Sequence, residues 1–420
     1  MLPELRISDP DVSSGCAAYV HIPFCSARCG YCDFNTYTNL TMGDGVCADS
    51  FEQTLIKEIR HSAHVLHLGS DGRDKGSDAV HQRSPRPKKP LLHSIFFGGG
   101  TPSLLTPAQL GAIVDELTRT WGLCPGAEVS MEANPESMTA EKMRSLKEIG
   151  INRLSFGMQS ADPHVLHILQ RRHTPGQVQK VAQAAQELDL EYSLDLIYGT
   201  PGESLQSWQR SLEAAISLKP QHISAYALTL EPHVPMSRRI ARGELPDIDP
   251  DDEADKYEIA ERVLSDAGYQ WYEISNWALP GHECRHNITY WKEGNWWGYG
   301  PGAHSHINGT RWWNLRHPRD YAQALCGHHA SHSSDHTPDN LPIDGYEILT
   351  PAQIREERIM MGIRLREGLH MRSVDVDTST VHDLVNQGLL CAEPLREADP
   401  KLVLSMRGRL LADTVIRALW

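Results

Sequence analysis

Six short β-rich runs, each followed by a helix-like stretch, fill residues 17–230, and that alternation restricts the chain to a parallel sheet covered by helices. The strand candidates are Ala17–Pro23, Ser94–Gly98, Glu128–Ala133, Asn152–Phe156, Tyr192–Ile197 and His222–Leu230. Helical spacing of apolar residues marks Pro107–Trp121, Thr139–Ile149, Gly176–Leu188 and Ser204–Leu218 between them. Six βα units predict an α/β fold, a partial (β/α)6 barrel of the TIM type. Several of the strands end in small or polar residues, namely Gly98-Gly99-Gly100, Asn134 and Gly199. Parallel α/β folds bind their ligands at those carboxyl ends.

At 420 residues the chain exceeds the size at which one core usually stops growing, so a second, smaller unit is expected. The polar run 67–90, rich in Gly, Ser and Pro and without a hydrophobic period, reads as a surface insertion in the barrel part 17–235. Residues 1–16 form an N-terminal segment, 236–327 a His- and Trp-rich extension of the barrel, and 328–349 a linker. From 350 to 420 the spacing of IMMGIRL, LVNQGLL and LLADTVIRALW predicts a small helical domain, with Lys401–Met406 as a short strand, a mix that resembles a winged helix.

The net charge of −14 disfavours nucleic acid, whose phosphates are met by basic faces, for the whole chain and for that C-terminal domain. No apolar run reaches the 18 or so residues of a membrane span. The N-terminus, with acids among its first residues, lacks the basic start and apolar core of a secretory signal, so a cytoplasmic protein is expected. Nine cysteines are too sparse for a disulfide scaffold. Three of them crowd into HIPFCSARCGYCDF directly after the first strand, spaced C-x3-C-x2-C as Cys25, Cys29 and Cys32. Thiolates are the usual ligands of iron-sulfur clusters, and three of them leave one iron of a four-iron cluster open to a small chelating ligand. A zinc site with a fourth ligand elsewhere, or three separate buried cysteines, are the alternatives.

With Tyr31 as its aromatic, the loop resembles the C-x3-C-x-aromatic-C signature of the radical S-adenosylmethionine (SAM) superfamily. The resemblance implies a [4Fe-4S] cluster on Cys25, Cys29 and Cys32, fed by an electron donor, and SAM bound beside it. It extends to Gly98-Gly99-Gly100-Thr101, where Gly99, Gly100 and Thr101 match the glycine motif whose bare backbone meets SAM. Carried over residue by residue, it also implies that Tyr19, Tyr31, Glu132, Gln159, Arg171 and Asp195 surround SAM. Acids suit ammonium or ribose hydroxyls, and a guanidinium can fork onto a carboxylate.

The resemblance narrows to the group that contains the oxygen-independent coproporphyrinogen III oxidase and the haem chaperones of the HemW type, and it covers nearly the whole chain. The oxidase loop continues with a further cysteine two residues after the third, where this chain has Asp33 and Phe34. The oxidase also carries a longer N-terminal extension than the 24 residues before Cys25. The chaperones carry H-N-x-x-Y-W, here His286-Asn287-Ile288-Thr289-Tyr290-Trp291. The resemblance thus implies haem binding with His286 as axial ligand, Tyr290, Trp291, Trp296 and Trp297 packed on the porphyrin, and delivery to acceptor haemoproteins. His282, Cys284, His304 and His306 are competing ligands. The oxidase, and a non-catalytic haem or iron-sulfur binding module, remain as alternatives.

Overall fold

The computed structural model describes residues 7, 15–42, 46–66, 90–326 and 341–420. Most of the expected insertion, residues 67–89, lies outside them, as does residues 328–340 of the expected linker. Six parallel strands alternate with helices as the spacing predicts. They are β1 (Cys16–Ile22), α1 (Phe51–Val65), β2 (Leu92–Gly99), α2 (Pro107–Trp121), β3 (Leu123–Ala133), α3 (Ala140–Glu148), β4 (Arg153–Gln159), α4 (Pro163–Ile168), α5 (Pro175–Glu187), β5 (Glu191–Tyr198), α6 (Leu205–Ser217) and β6 (His222–Ala227). Helix starts are chemically specified: Thr106 and Gln109 form a reciprocal capping box on α2, and the Ser204 hydroxyl accepts from the Ser207 backbone at the start of α6.

Residues 235–348 add α7 (Pro235–Ala241), α8 (Pro250–Asp266), β7 (Gln270–Glu273), β8 (Asn276–Ala278), α9 (Arg285–Trp291), β9 (Trp296–Tyr299), β10 (His304–Ile307), β11 (Thr310–Asn314), α10 (Pro318–Ala324) and β12 (Ile343–Ile348). All twelve strands join one sheet in the order β12-β11-β10-β9-β1-β2-β3-β4-β5-β6-β8-β7. The sheet is not closed. The His- and Trp-rich region therefore extends both edges, β7 and β8 beyond β6 and β9 to β11 beyond β1, with α9 crossing from one edge to the other. The stretch 343–348, expected within a linker, instead pairs antiparallel with β11.

Side chains on one face of the parallel strands, including Phe97, Met131, Phe156 and Leu194, are fully buried with Ile113 and Leu117 of α2 and Trp208 of α6. Each such side chain contributes about 1.5–3 kcal/mol relative to exposure. Along the opposite face every second residue is polar: Glu128, Ser130 and Glu132 on β3, Arg153 and Ser155 on β4, Ser193 and Asp195 on β5, His222 and Ser224 on β6. That face lines a cavity rather than a core.

The C-terminal region contains α11 (Pro351–Gly362), β13 (Leu369–His370), α12 (Thr378–Asn386), β14 (Lys401–Leu402), α13 (Met406–Leu410) and α14 (Ala412–Leu419). It has its own core around Ile359, Ile363, Leu384, Val415 and Ile416, beside a two-stranded antiparallel ribbon. Arg409 fastens it to the barrel: its guanidinium donates to Glu261 of α8 at 2.8 Å and lies 4.4 Å from the Trp271 ring centroid.

Candidate functional site

The cysteine loop leaves β1 at Pro23 and is pinned from two directions. The backbone N–H groups of Gly100 and Thr101 donate to the carbonyls of Ile22 and Phe24, both at 2.8 Å, and that of Met236 in α7 donates to Gly30 at 2.9 Å. Cys25 is buried, Cys29 and Cys32 are half-buried, and all three face a cavity of about 530 Å³. Burial, and repulsion from the neighbouring thiols, push the Cys25 and Cys32 thiols up. A bound cationic metal reverses that penalty by deprotonating them. Among the described residues no three His, Cys, Asp or Glu side chains converge as a single ion requires. Thiolates that each hold a different iron are spread across the width of a cluster.

The same cavity is lined by every residue the sequence assigns to SAM: Tyr19, Tyr31, Gly99, Gly100, Thr101, Glu132, Gln159, Arg171 and Asp195. The Glu132 carboxylate accepts from the Gly99 backbone at 3.1 Å, and Asp195 accepts from Ser155 at 2.7 Å and Ser224 at 2.8 Å. Burial, and then the charge of Asp195, push the Glu132 carboxyl up to about 8, and burial raises Asp195 as well. Two desolvated carboxyls on one cavity wall suit a ligand bearing ammonium and sulfonium charges. Arg171 donates to Asn134 at 2.7 Å and to the Cys29 sulfur at 3.5 Å, while its Nε is buried without a partner. The Gln159 Oε1 is likewise unpartnered, and Gln159 holds a φ of 62° at the end of β4. Such unspent groups and backbone strain collect where a ligand completes the site. The residues present therefore fit both the cluster and SAM.

The sequence reading missed part of the lining. Asn134 bridges Arg171 and the Thr101 hydroxyl, and the Tyr19 hydroxyl shares a 3.0 Å hydrogen bond with Nδ1 of His21. Ser193 donates to Ser155, extending the hydroxyl ladder below Asp195. The signal was available in the period-two polar residues of strands that a packed parallel sheet would fill with Val and Ile.

Helix α9 closes the cavity at the N-terminal end of the strands. The buried Glu128 accepts from the backbone N–H groups of Arg285 and His286, and Arg153 lies 3.7 Å from it. His286 is fully enclosed, and burial pushes it down to about 3, so its imidazole is neutral. Both ring nitrogens are committed, Nδ1 with Ser94 at 3.0 Å and Nε2 with the Tyr290 hydroxyl at 2.7 Å. Its expected role as an axial ligand thus requires one of these bonds to break. Trp297, expected against a porphyrin face, instead lies inside the main core against Trp121 and Trp312.

The family profile of the radical SAM superfamily matches residues 19–215. The heme chaperone HemW of Mycobacterium tuberculosis is 42% identical over 403 residues, covering 96% of this chain and 94% of the relative. HemW of Bacillus subtilis is 32% identical, with 96% and 98% covered, and HemW of Escherichia coli 36% identical, with 73% and 75% covered. The chain belongs to the HemW family of the radical SAM superfamily. Its fold is also that of the coproporphyrinogen III oxidase HemN from Escherichia coli, a radical SAM enzyme: the TM-score is 0.76 at 20% identity, over 97% of this chain and 90% of that one.

Proposed function

We propose that this chain is a haem chaperone that binds haem and delivers it to acceptor haemoproteins, using a [4Fe-4S] cluster on Cys25, Cys29 and Cys32 with SAM beside it. The observation that carries this is the 42% identity to a haem chaperone over 96% of the chain. It is supported by the H-N-x-x-Y-W stretch of α9 and by Asp33-Phe34 standing where the oxidase has its extra cysteine. All nine cysteines are free, which suits work in the reducing cytoplasm with an electron donor for the cluster.

When bound and reduced, the cluster and SAM supply a 5′-deoxyadenosyl radical. The protein's own part is binding and shielding. Gly99 and Gly100 keep the β2 end bare, Glu132 and Asp195 would hold the positive end of SAM, and Arg171 would offer its unpartnered Nε to the carboxylate. No helix of the described residues is long and apolar enough to cross a membrane.

The test is the anaerobically reconstituted protein assayed side by side for haem binding, 5′-deoxyadenosine release with dithionite, and coproporphyrinogen decarboxylation. Haem binding without decarboxylation is expected; decarboxylation would establish the oxidase instead.

SAM binding should depend on pH through Glu132. A carboxyl raised to about 8 is protonated at neutral pH, and a cationic ligand stabilises its ionised form. The complex then holds fewer protons than the free protein, so affinity rises with pH up to about 8 and levels off above it. Equilibrium binding between pH 6 and 9 should show this rise in the wild type and a flatter profile in Glu132→Gln. Equal slopes in the two proteins would remove Glu132 from the contact.

A further inference from the structure

A second cavity, of about 320 Å³, opens on the outer face of the β1-side sheet extension, where Trp296, His304, Trp313 and Arg311 meet Tyr290 of α9 and Met361 of α11. His304 and Trp313 are cross-strand partners on β10 and β11, and their rings stack at 5.8 Å with 27° between planes. A side chain on Gly345, opposite Trp313 on β12, would meet the indole at 2.4 Å, so the glycine is what lets that ring lie against the strand. Arg311 pairs with Glu347 of β12 and Glu357 of α11, holding the helix against the sheet. Flat aromatic walls, one imidazole and a thioether make a slot of the size and character of small-molecule sites.

The neighbouring candidates for an iron ligand are committed or lie away from the slot. His286 has both nitrogens bonded. His306 bonds the Gly294 carbonyl through Nδ1 and accepts from the Gly309 N–H through Nε2, and His282, held by Glu191 through Nδ1, lines neither cavity. Cys284 is buried against Glu128, with its thiol pushed up to about 12. His304 differs: among the described residues neither ring nitrogen has a hydrogen-bond partner, and the ring is exposed. Partial desolvation, then the positive charges of Arg316 and Arg311, lower its proton affinity and are offset in part by Glu347, which favours the neutral imidazole that binds iron.

Resting on the haem-chaperone reading, we propose that haem docks in this outer slot, with His304 as axial iron ligand, Trp313 bracing the imidazole by stacking on it, and Trp296 and Tyr290 as aromatic contacts of the porphyrin. Tyr290 lines both cavities and bonds His286. His286 is then a positioning residue that sets the Tyr290 ring from behind, and the motif bears on haem without supplying the ligand.

Ferric haem titrated into the cluster-loaded protein tests this. His304→Ala should lose at least tenfold in affinity together with the absorbance signature of imidazole ligation, and free imidazole should restore that signature. His286→Ala should keep the signature with a smaller loss of affinity. Trp313→Ala should weaken binding without changing the ligand bands. A His304→Ala protein with wild-type spectrum and affinity would overturn the site while leaving the chaperone reading intact. A wild-type protein that binds no haem would overturn the chaperone reading, and the site with it.

Discussion

Alanine at any one of Cys25, Cys29 or Cys32 is expected to abolish the cluster, taking iron and sulfide from about four per chain to background after anaerobic reconstitution. In the proposed site each thiolate would hold a different iron, so two cannot share the work of three, and none of the other six cysteines is placed to substitute. Cys16 is buried in β1, Cys284 sits at the far end of the strands against Glu128, and Cys47, Cys124, Cys326 and Cys391 do not line the cavity. Cys47→Ala, Cys124→Ala and Cys326→Ala should therefore keep full iron. Retention of the full complement in a loop variant, or zinc in place of iron in the wild type, would sink the assignment. SAM affinity should fall with the cluster in each loop variant, because the open iron would be one of its anchors.

The parallel core was legible because its signals are local. Capping residues such as Thr106 and Ser204 mark where helices begin, and α2 runs over the same residues as its apolar period. The cysteine loop was legible because its ligands lie within eight residues of one another. Residues 236–348 were harder. Short strands of three to six residues such as β8, β9 and β12 carry too few positions for a period to emerge, and their places on opposite edges of the sheet follow from tertiary pairing. Trp296 and Trp297 show the cost. Adjacent residues of a strand face opposite ways, so one indole reaches the outer slot while the other is fully buried in the core, and composition alone cannot separate them. His286 is a different case. Its motif marked it as a haem ligand, but its hydrogen bonds to Ser94, 192 residues away, and to Tyr290 were invisible in the sequence.

The glycine run yields the second large effect, and a glycine of β4 supplies its contrast. A β-carbon on Gly100 would lie 2.5 Å from the Phe24 carbonyl oxygen in the cysteine loop and 2.8 Å from that of Ile22 at the end of β1, both backbone atoms. Neither can swing aside as a side chain can, and the Gly100 and Thr101 N–H groups donate to those same oxygens. Even Gly100→Ala must push the loop from β2, at about 1–3 kcal/mol for the overpacking and with Cys25 displaced directly. The expected result is a folded protein that retains less than half its iron and binds no measurable SAM. Gly157→Ala is the contrast. Its β-carbon would meet only the tips of Gln159, at 2.8 Å, and Arg171, at 3.2 Å, side chains that can move but belong to the SAM lining. That variant should keep its cluster and lose SAM affinity by roughly tenfold, about 1.4 kcal/mol. Iron analysis and equilibrium SAM binding on the two proteins decide the matter, because loss of cluster in Gly157→Ala, or full iron with wild-type SAM affinity in Gly100→Ala, would show that the loop is not braced by this strand end.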